Sequence, residues 1–316
     1  MLTLEDFNNA RDTIIGSATR TPLVRLNVFD APAEIYLKLE NLQPIGSFKI
    51  RGAANAMGHM SREELSGGVV TASAGNMAQG VAWRARELGI PCTVIAPDTV
   101  PETKIAAIER LGGRVIKAPH TDWWRAFETR AFPGVDGTFI HAFDDPFVMA
   151  GNGTIAFEIM EDLPDVDAVV VPWGGGGLAC GIAAAMRGLK PACKIYAAEV
   201  ATAAPLGPSM EAGSAVTVDY QSSFVDGIGA RTVFPSMLKL AEKLIDGALV
   251  AKLDEVADAL RLVATRNRVI AEGAGATSVA CGMSGKAGTG KVVCIVSGGN
   301  IDFDKLASIL KPTTEN

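Results

Sequence analysis

Apolar positions along this chain follow two rhythms, short unbroken runs and stretches at helical spacing, and the two alternate. Residues 69–73 read as a strand and 77–88 as a helix ended by Gly89. Residues 92–96 read as a strand, 102–111 as a helix closed by Gly112 and Gly113, and 115–118 as a short strand. A helix over 123–131 and a strand over 138–142 complete this block. The rhythm continues with a long helix over 146–163, a nearly continuous apolar strand at 167–172, a helix rich in Ala and Gly at 178–189 and a strand at 195–198. Residues 201–232 are irregular; a helix at 255–270, a buried strand at 292–296 and a helix at 302–310 close the chain. Near the start, Leu4, Phe7, Ile14 and Ile15 mark an amphipathic helix with Thr3 as N-cap and Asp6 as its acidic partner. Ile35, Leu37 and Leu39 alternate with Tyr36, Lys38 and Glu40, the period of a half-buried strand.

Strands alternating with helices of this length build βαβ units, hence an α/β fold with parallel sheets flanked by helices. At 316 residues the chain exceeds the commonest size of one domain. We expect a large domain from residues 1–63 plus 144–316 and a small α/β domain inserted at 64–143.

A net charge of -6 argues against a nucleic-acid partner, because few cations are left over to displace counterions from phosphate. No window approaches the ~18 to 20 apolar residues of a membrane span, and the start lacks the pattern of a signal peptide, so a cytoplasmic protein acting on a small molecule is expected. Cys92, Cys180, Cys193, Cys281 and Cys294 show no paired spacing and read as buried thiols. His59, His120 and His141 have no metal spacing and read as structural or exposed; Trp123 and Trp124 read as packing.

Four stretches carry candidate chemistry. Lys49 follows the strand at 34–40 and opens a helix, with Phe48 and Arg51 beside it. It is either a solvated cation or an amine whose lowered pKa fits it for Schiff-base chemistry. Gly174, Gly175, Gly176, Gly177 and Leu178 lie between strand and helix, where backbone amides hold a phosphate. The same stretch satisfies a dinucleotide fingerprint through Gly174, Gly176 and Ala179, with Glu199 ending the next strand, so an NAD-dependent oxidoreductase is the rival reading. Ser73, Ala74, Gly75, Asn76 and Met77 form a second strand-to-helix loop whose amides, hydroxyl and carboxamide suit a carboxylate, or merely cap a helix. Ser297 ends the last strand, where its hydroxyl can face the crevice at the carboxyl ends of the strands.

Together these stretches resemble the fold-type II pyridoxal-phosphate enzymes, the family of serine/threonine dehydratases and serine racemases, whose fold is tryptophan synthase beta-like. The likeness runs from Thr21-Pro22-Leu23 through Gly46-Ser47-Phe48-Lys49, Ser73-Ala74-Gly75-Asn76, Ala150-Gly151-Asn152-Gly153-Thr154, the glycine tetrad and Asp226-Gly227-Ile228 to Ser297-Gly298-Gly299-Asn300. The resemblance implies that Lys49 forms the Schiff base with pyridoxal 5'-phosphate, that Phe48 and Gly227 flank its ring, and that Gly174 to Gly177 with Leu178 hold its phosphate. It also implies that Asn76 bonds the 3-oxygen, Ser297 the ring nitrogen, and Ser73, Ala74, Gly75, Asn76 and Met77 the substrate carboxylate. Glu272 falls where the family has an acid near the cofactor, although Gly273 replaces the usual proline. The implied reaction is β-elimination from a β-hydroxy amino acid such as L-threonine or L-serine, giving a 2-oxo acid and ammonia. A homodimer is expected only because it is the commonest assembly. Racemisation and β-replacement are the alternatives on this fold.

Some features depart from the family. Ala74 stands where racemases have a second serine, which weighs against racemisation. Met77 and Trp173 replace residues of other shape and are expected to reshape the substrate pocket. Glu199 and Ala203 match two ligands of an activating divalent cation, but Pro205 occupies the third position. The chain ends soon after Ser297, so the regulatory domain of biosynthetic relatives is not expected.

Overall fold

The computed structural model describes residues 2–311; Met1 and the polar tail at 312–316 lie outside the described residues. α1 (Leu4–Thr13) opens on a reciprocal cap, Thr3 Oγ1 accepting from Asp6 N at 3.3 Å while the Asp6 carboxylate accepts from Thr3 N at 2.7 Å. β1 (Leu23–Arg25) and β2 (Glu34–Leu39) lead to α2 (Lys49–Gly58) and the short α3 (Arg62–Ser66). There follow β3 (Val69–Ala72), α4 (Asn76–Leu88), β4 (Cys92–Pro97), α5 (Glu102–Arg110), β5 (Arg114–Ala118), α6 (His120–Thr129) and β6 (Thr138–Phe139). The next elements are α7 (Pro146–Asp162), β7 (Ala168–Pro172), α8 (Gly177–Leu189), β8 (Lys194–Val200), α9 (Leu206–Ala212), α10 (Pro235–Leu244) and β9 (Gly247–Ala251). The chain closes with α11 (Leu253–Leu262), α12 (Gly273–Met283), β10 (Lys291–Val296) and α13 (Phe303–Leu310).

The strands form two sheets. One has the order β5-β4-β3-β6 and is wholly parallel. The other has the order β1-β2-β10-β7-β8-β9, parallel except for β1, which runs antiparallel to β2. Helices cover the sheets, so β7, near the centre of the larger one, is an apolar run with all five residues buried. α2 packs against both α4 and α7, so it lies between helices that flank the two sheets.

Several elements differ from the hydrophobic pattern. β6 stops at Phe139 because the chain turns at His141, although Ile140 N still donates to Val70 O at 2.7 Å. α11 ends at Leu262, beyond which a wider turn carries the chain to Arg268 in the left-handed region at φ 59°. α12 is built of small residues that are nearly all buried, so it shows no polar face to mark a period.

β2 alternates as a half-buried strand only at its start, where Glu34 and Tyr36 stay part-exposed. Lys38 and Glu40 are both 0% exposed, because they meet a buried ion cluster rather than water. Arg51 donates from Nε and Nη2 to Glu40, each at 2.8 Å, and from Nη1 to Glu158 at 2.6 Å, while Lys38 Nζ donates to Glu158 at 2.5 Å. Two cations and two carboxylates thus neutralise one another at the root of α2, two residues from Lys49.

Candidate active site

A cleft of ≈ 650 Å³ opens where the carboxyl ends of the strands of both sheets face each other. Lys49, Ser73, Ala74, Gly75, Asn76, Met77, the four glycines, Leu178, Gly227, Glu272 and Ser297 all line it, with Phe48. The sequence-expected stretches are therefore brought together in one place. Trp173 does not line it.

Lys49 starts α2 and is half-buried at the cleft floor, with Nζ 5.1 Å from the centre of the Phe48 ring. Its ammonium donates to Ala142 O at 2.7 Å. Burial lowers its pKa to about 8, the Glu272 carboxylate opposing the shift. The loop before Lys49 is stitched to the end of β10: Phe48 N donates to Ser297 O at 3.0 Å and Gly299 N to Gly46 O at 2.9 Å. Ser47 Oγ is buried there without a partner.

The tetrad turns from β7 into α8. The N-cap Gly176 lies at φ 90° and brings no side-chain cap, so the first amides of α8 keep free N–H groups for an anion. Side chains are excluded from this turn. A Cβ on Gly175 would strike the Phe143 ring, one on Gly176 would lie 2.6 Å from Trp173, and one on Gly177 2.7 Å from Phe143 O. The tetrad is thus a bare backbone cradle backed by Phe143 and Trp173, which fits a phosphate group approaching closely.

Asn76 begins α4 and crosses the cleft: Nδ2 donates to Glu272 Oε1 at 2.8 Å, and Oδ1 accepts from Asn300 Nδ2 at 2.8 Å. Burial, with the nearby Asp226 charge, pushes the Glu272 carboxyl up to about 7, the Asn76 hydrogen bond acting the other way. Ser73 Oγ accepts from Gly75 N at 3.2 Å, holding the loop tight. Asn300, Lys104 and Asp226 line the cleft as well, the last two paired at 2.8 Å.

Glu199 lies elsewhere. It is 0% exposed and accepts from the amides of Leu206 at 2.8 Å and Gly207 at 3.2 Å, so it caps α9. Burial pushes its pKa up to about 7. Ala203 pairs with Val200 in an isolated bridge. Among the described residues no group of three or more His, Cys, Asp or Glu is arranged to hold a metal ion. The five cysteines are buried and free, and no described helix is long and apolar enough to cross a membrane.

A bare cradle, a lowered lysine and a carboxamide between them fit pyridoxal phosphate, and the sequence relationship decides the family. Residues 14–298 match the pyridoxal-phosphate dependent enzyme family. The chain belongs to that family. It is 41% identical over 98% of its length to an L-threonine ammonia-lyase of Thermotoga maritima, covering 78% of that protein. It is 35% identical to a catabolic L-threonine dehydratase of Staphylococcus aureus, over 98% of this chain and 92% of that one. Among solved structures, maize serine racemase superposes with a TM-score of 0.89 at 30% identity, covering 96% of this chain and 95% of that one. The processed threonine deaminase isoform 2 of Solanum lycopersicum gives 0.86 at 33%, covering 97% and 92%. Membership removes the dinucleotide reading, and geometry agrees: the Glu199 carboxylate, meant for a ribose, is spent on the α9 amides.

Sequence reasoning missed Ala142, which contributes only its backbone oxygen, and Phe143, whose ring backs the tetrad. Asn300 was legible as part of a turn, not as the partner of Asn76.

Proposed function

We propose that this chain is a pyridoxal-phosphate ammonia-lyase that converts L-threonine or L-serine to the 2-oxo acid and ammonia. The observation that carries it is the Lys49 amine, lowered to about 8 and set between the amide cradle and the loop at residues 73–77. The relatives named for threonine deamination supply the substrate.

Bound pyridoxal phosphate supplies an electron sink for charge developing at the substrate's α carbon. Lys49 Nζ would hold the cofactor through its aldehyde carbon, and the same amine is placed to take the substrate's α proton. Gly174, Gly175, Gly176, Gly177 and Leu178 would bind the phosphate, while Phe48 and Gly227 would hold the ring. Asn76 and Ser297 would orient the 3-oxygen and ring nitrogen, and Glu272 holds the Asn76 carboxamide. The amides and hydroxyl of residues 73–77 bind the substrate carboxylate. The β-hydroxyl departs as water with a proton from Lys49, and hydrolysis of the resulting enamine releases ammonia. Ala74 carries no proton donor for the opposite face, which favours elimination over racemisation.

The reading keeps the division into a large domain, residues 1–63 plus 144–316, and a small one, 64–143, in keeping with the two sheets. It also keeps a homodimer in the cytoplasm, the first checked by sedimentation. A divalent cation at Glu199 and Ala203 is no part of it, since the α9 amides already engage that carboxylate.

The test is borohydride reduction of the purified chain, mass analysis of the Lys49 peptide, and keto-acid formation from L-threonine and L-serine. Cofactor mass on Lys49 with keto-acid release supports the proposal. A chain that takes up no pyridoxal phosphate, or recovered substrate that is racemised without keto acid, overturns it.

A further inference from the structure

His141 is 1% exposed and sits in an aromatic box, 4.6 Å from Phe143 and 5.5 Å from Phe127 between ring centres, with Phe234 at 6.1 Å and Phe139 at 6.2 Å. Its Nδ1 accepts from Asp144 N at 2.8 Å and from Phe143 N at 3.3 Å. These donations require the Nδ1 lone pair, so the ring is a neutral imidazole carrying its proton on Nε2. The turn so ordered, Ala142-Phe143-Asp144, has two products. Ala142 O receives the Lys49 ammonium at 2.7 Å, and Phe143 lies against Gly175 and Gly177 of the phosphate cradle.

We propose that His141 is a positioning residue for the reaction: by accepting the amides of Phe143 and Asp144 it fixes one turn that sets both the reactive amine and the phosphate cradle. The lysine arrives on α2 and the tetrad on β7 and α8, and this turn touches both. Without an acceptor the two amides would lose their partner in a part-buried turn, and the turn would rearrange to satisfy them. Burial also pushes the imidazole down to about 4, with Arg130 and Lys49 adding to the shift and Asp144 opposing it, so the acceptor persists at neutral pH. The inference rests on Lys49 being the Schiff-base lysine.

The experiment compares the full chain with His141→Asn, His141→Gln and His141→Leu. An Asn side-chain oxygen can take the place of Nδ1, whereas Gln puts its polar group farther out and Leu has no acceptor. Each protein is titrated with pyridoxal phosphate for its Kd, and the rate of borohydride-trapped adduct on Lys49 is followed by mass spectrometry, alongside the melting temperature. We expect Gln and Leu to weaken cofactor binding at least tenfold and slow trapping, with Asn within about threefold of the parent on both. A merely structural role would lower melting in all three and leave Kd and trapping alike. If His141→Leu does not fold, the Asn and Gln pair decides. Asn no better than Gln, for whatever cause, or Leu binding like the parent, overturns the inference. No adduct on Lys49 in the parent would instead strike the Schiff-base assignment itself.

Discussion

Asn76 Nδ2 donates to Glu272 Oε1 at 2.8 Å across the cleft, tying the first residue of α4 to the N-cap of α12. The carboxyl is 9% exposed and held up at about 7 chiefly by burial. A carboxyl raised in the folded state contributes stability fully present below its unfolded value and lost as pH rises through the folded one. In the cofactor-free chain this window runs from about 4.5 to 7 and is worth roughly 3 kcal/mol. Glu272→Gln keeps an oxygen for Asn76 and removes the ionisation. We expect the difference in stability between variant and parent, measured by urea unfolding, to move in favour of the variant as pH rises across that window. A constant difference would show that Glu272 ionises normally.

Lys49 makes the opposite use of burial. Its amine is the nucleophile only when deprotonated, and its pKa lies near 8 instead of 10.5. The rate at which the cofactor-free chain captures pyridoxal phosphate is therefore expected to rise with pH to a midpoint near 8, once the aldehyde's own titration is subtracted with a model amine. Lys49→Ala should lose turnover and the trapped adduct completely. Ordinary keto-acid formation by that variant would rule out the mechanism.

Arg51 is 1% exposed and bridges Glu40 and Glu158 with its planar fork. Removing it would strand two buried carboxylates against one remaining lysine. Arg51→Ala is expected to cost about 3–5 kcal/mol in chemical denaturation. Arg51→Lys should recover little, since one ammonium cannot span both partners. A loss below about 1 kcal/mol for Arg51→Ala would mean that water enters the cluster.

The parts of this site that could be read from sequence are those whose residue types announce backbone chemistry. Four adjacent glycines, a Ser-Ala-Gly-Asn loop and a lysine at a helix start each follow a strand, and parallel strands deliver their carboxyl ends to one cleft. Ala142 left no signal, because the chemistry it contributes belongs to its carbonyl and any side chain would look alike. His141 depends on a turn that only the fold creates. In β2 the alternation was read correctly as two faces, yet the polar face is wet only at Glu34 and Tyr36 and dry at Lys38: the partner of Lys38 comes from Glu158 on α7, a distance in sequence that no local period reports. α12 escaped notice for the converse reason, since a helix buried on every side has no polar face to set its period.

Gly176 combines two constraints that can be separated. It lies at φ 90°, and a Cβ there would come within 2.6 Å of the Trp173 ring, which is 1% exposed and has no room to yield. Gly112 has nearly the same backbone, φ 91°, with nothing within 4 Å of its added Cβ, and does not line the cleft. Gly112→Ala therefore reports the backbone term alone, about 1–2 kcal/mol of stability. Gly176→Ala should cost more than that and, because the turn that strains is the one that cradles the phosphate, should weaken pyridoxal phosphate binding at least tenfold while Gly112→Ala leaves it unchanged. Equal stability losses with unchanged cofactor affinity in both variants would show that the tetrad does not hold the phosphate.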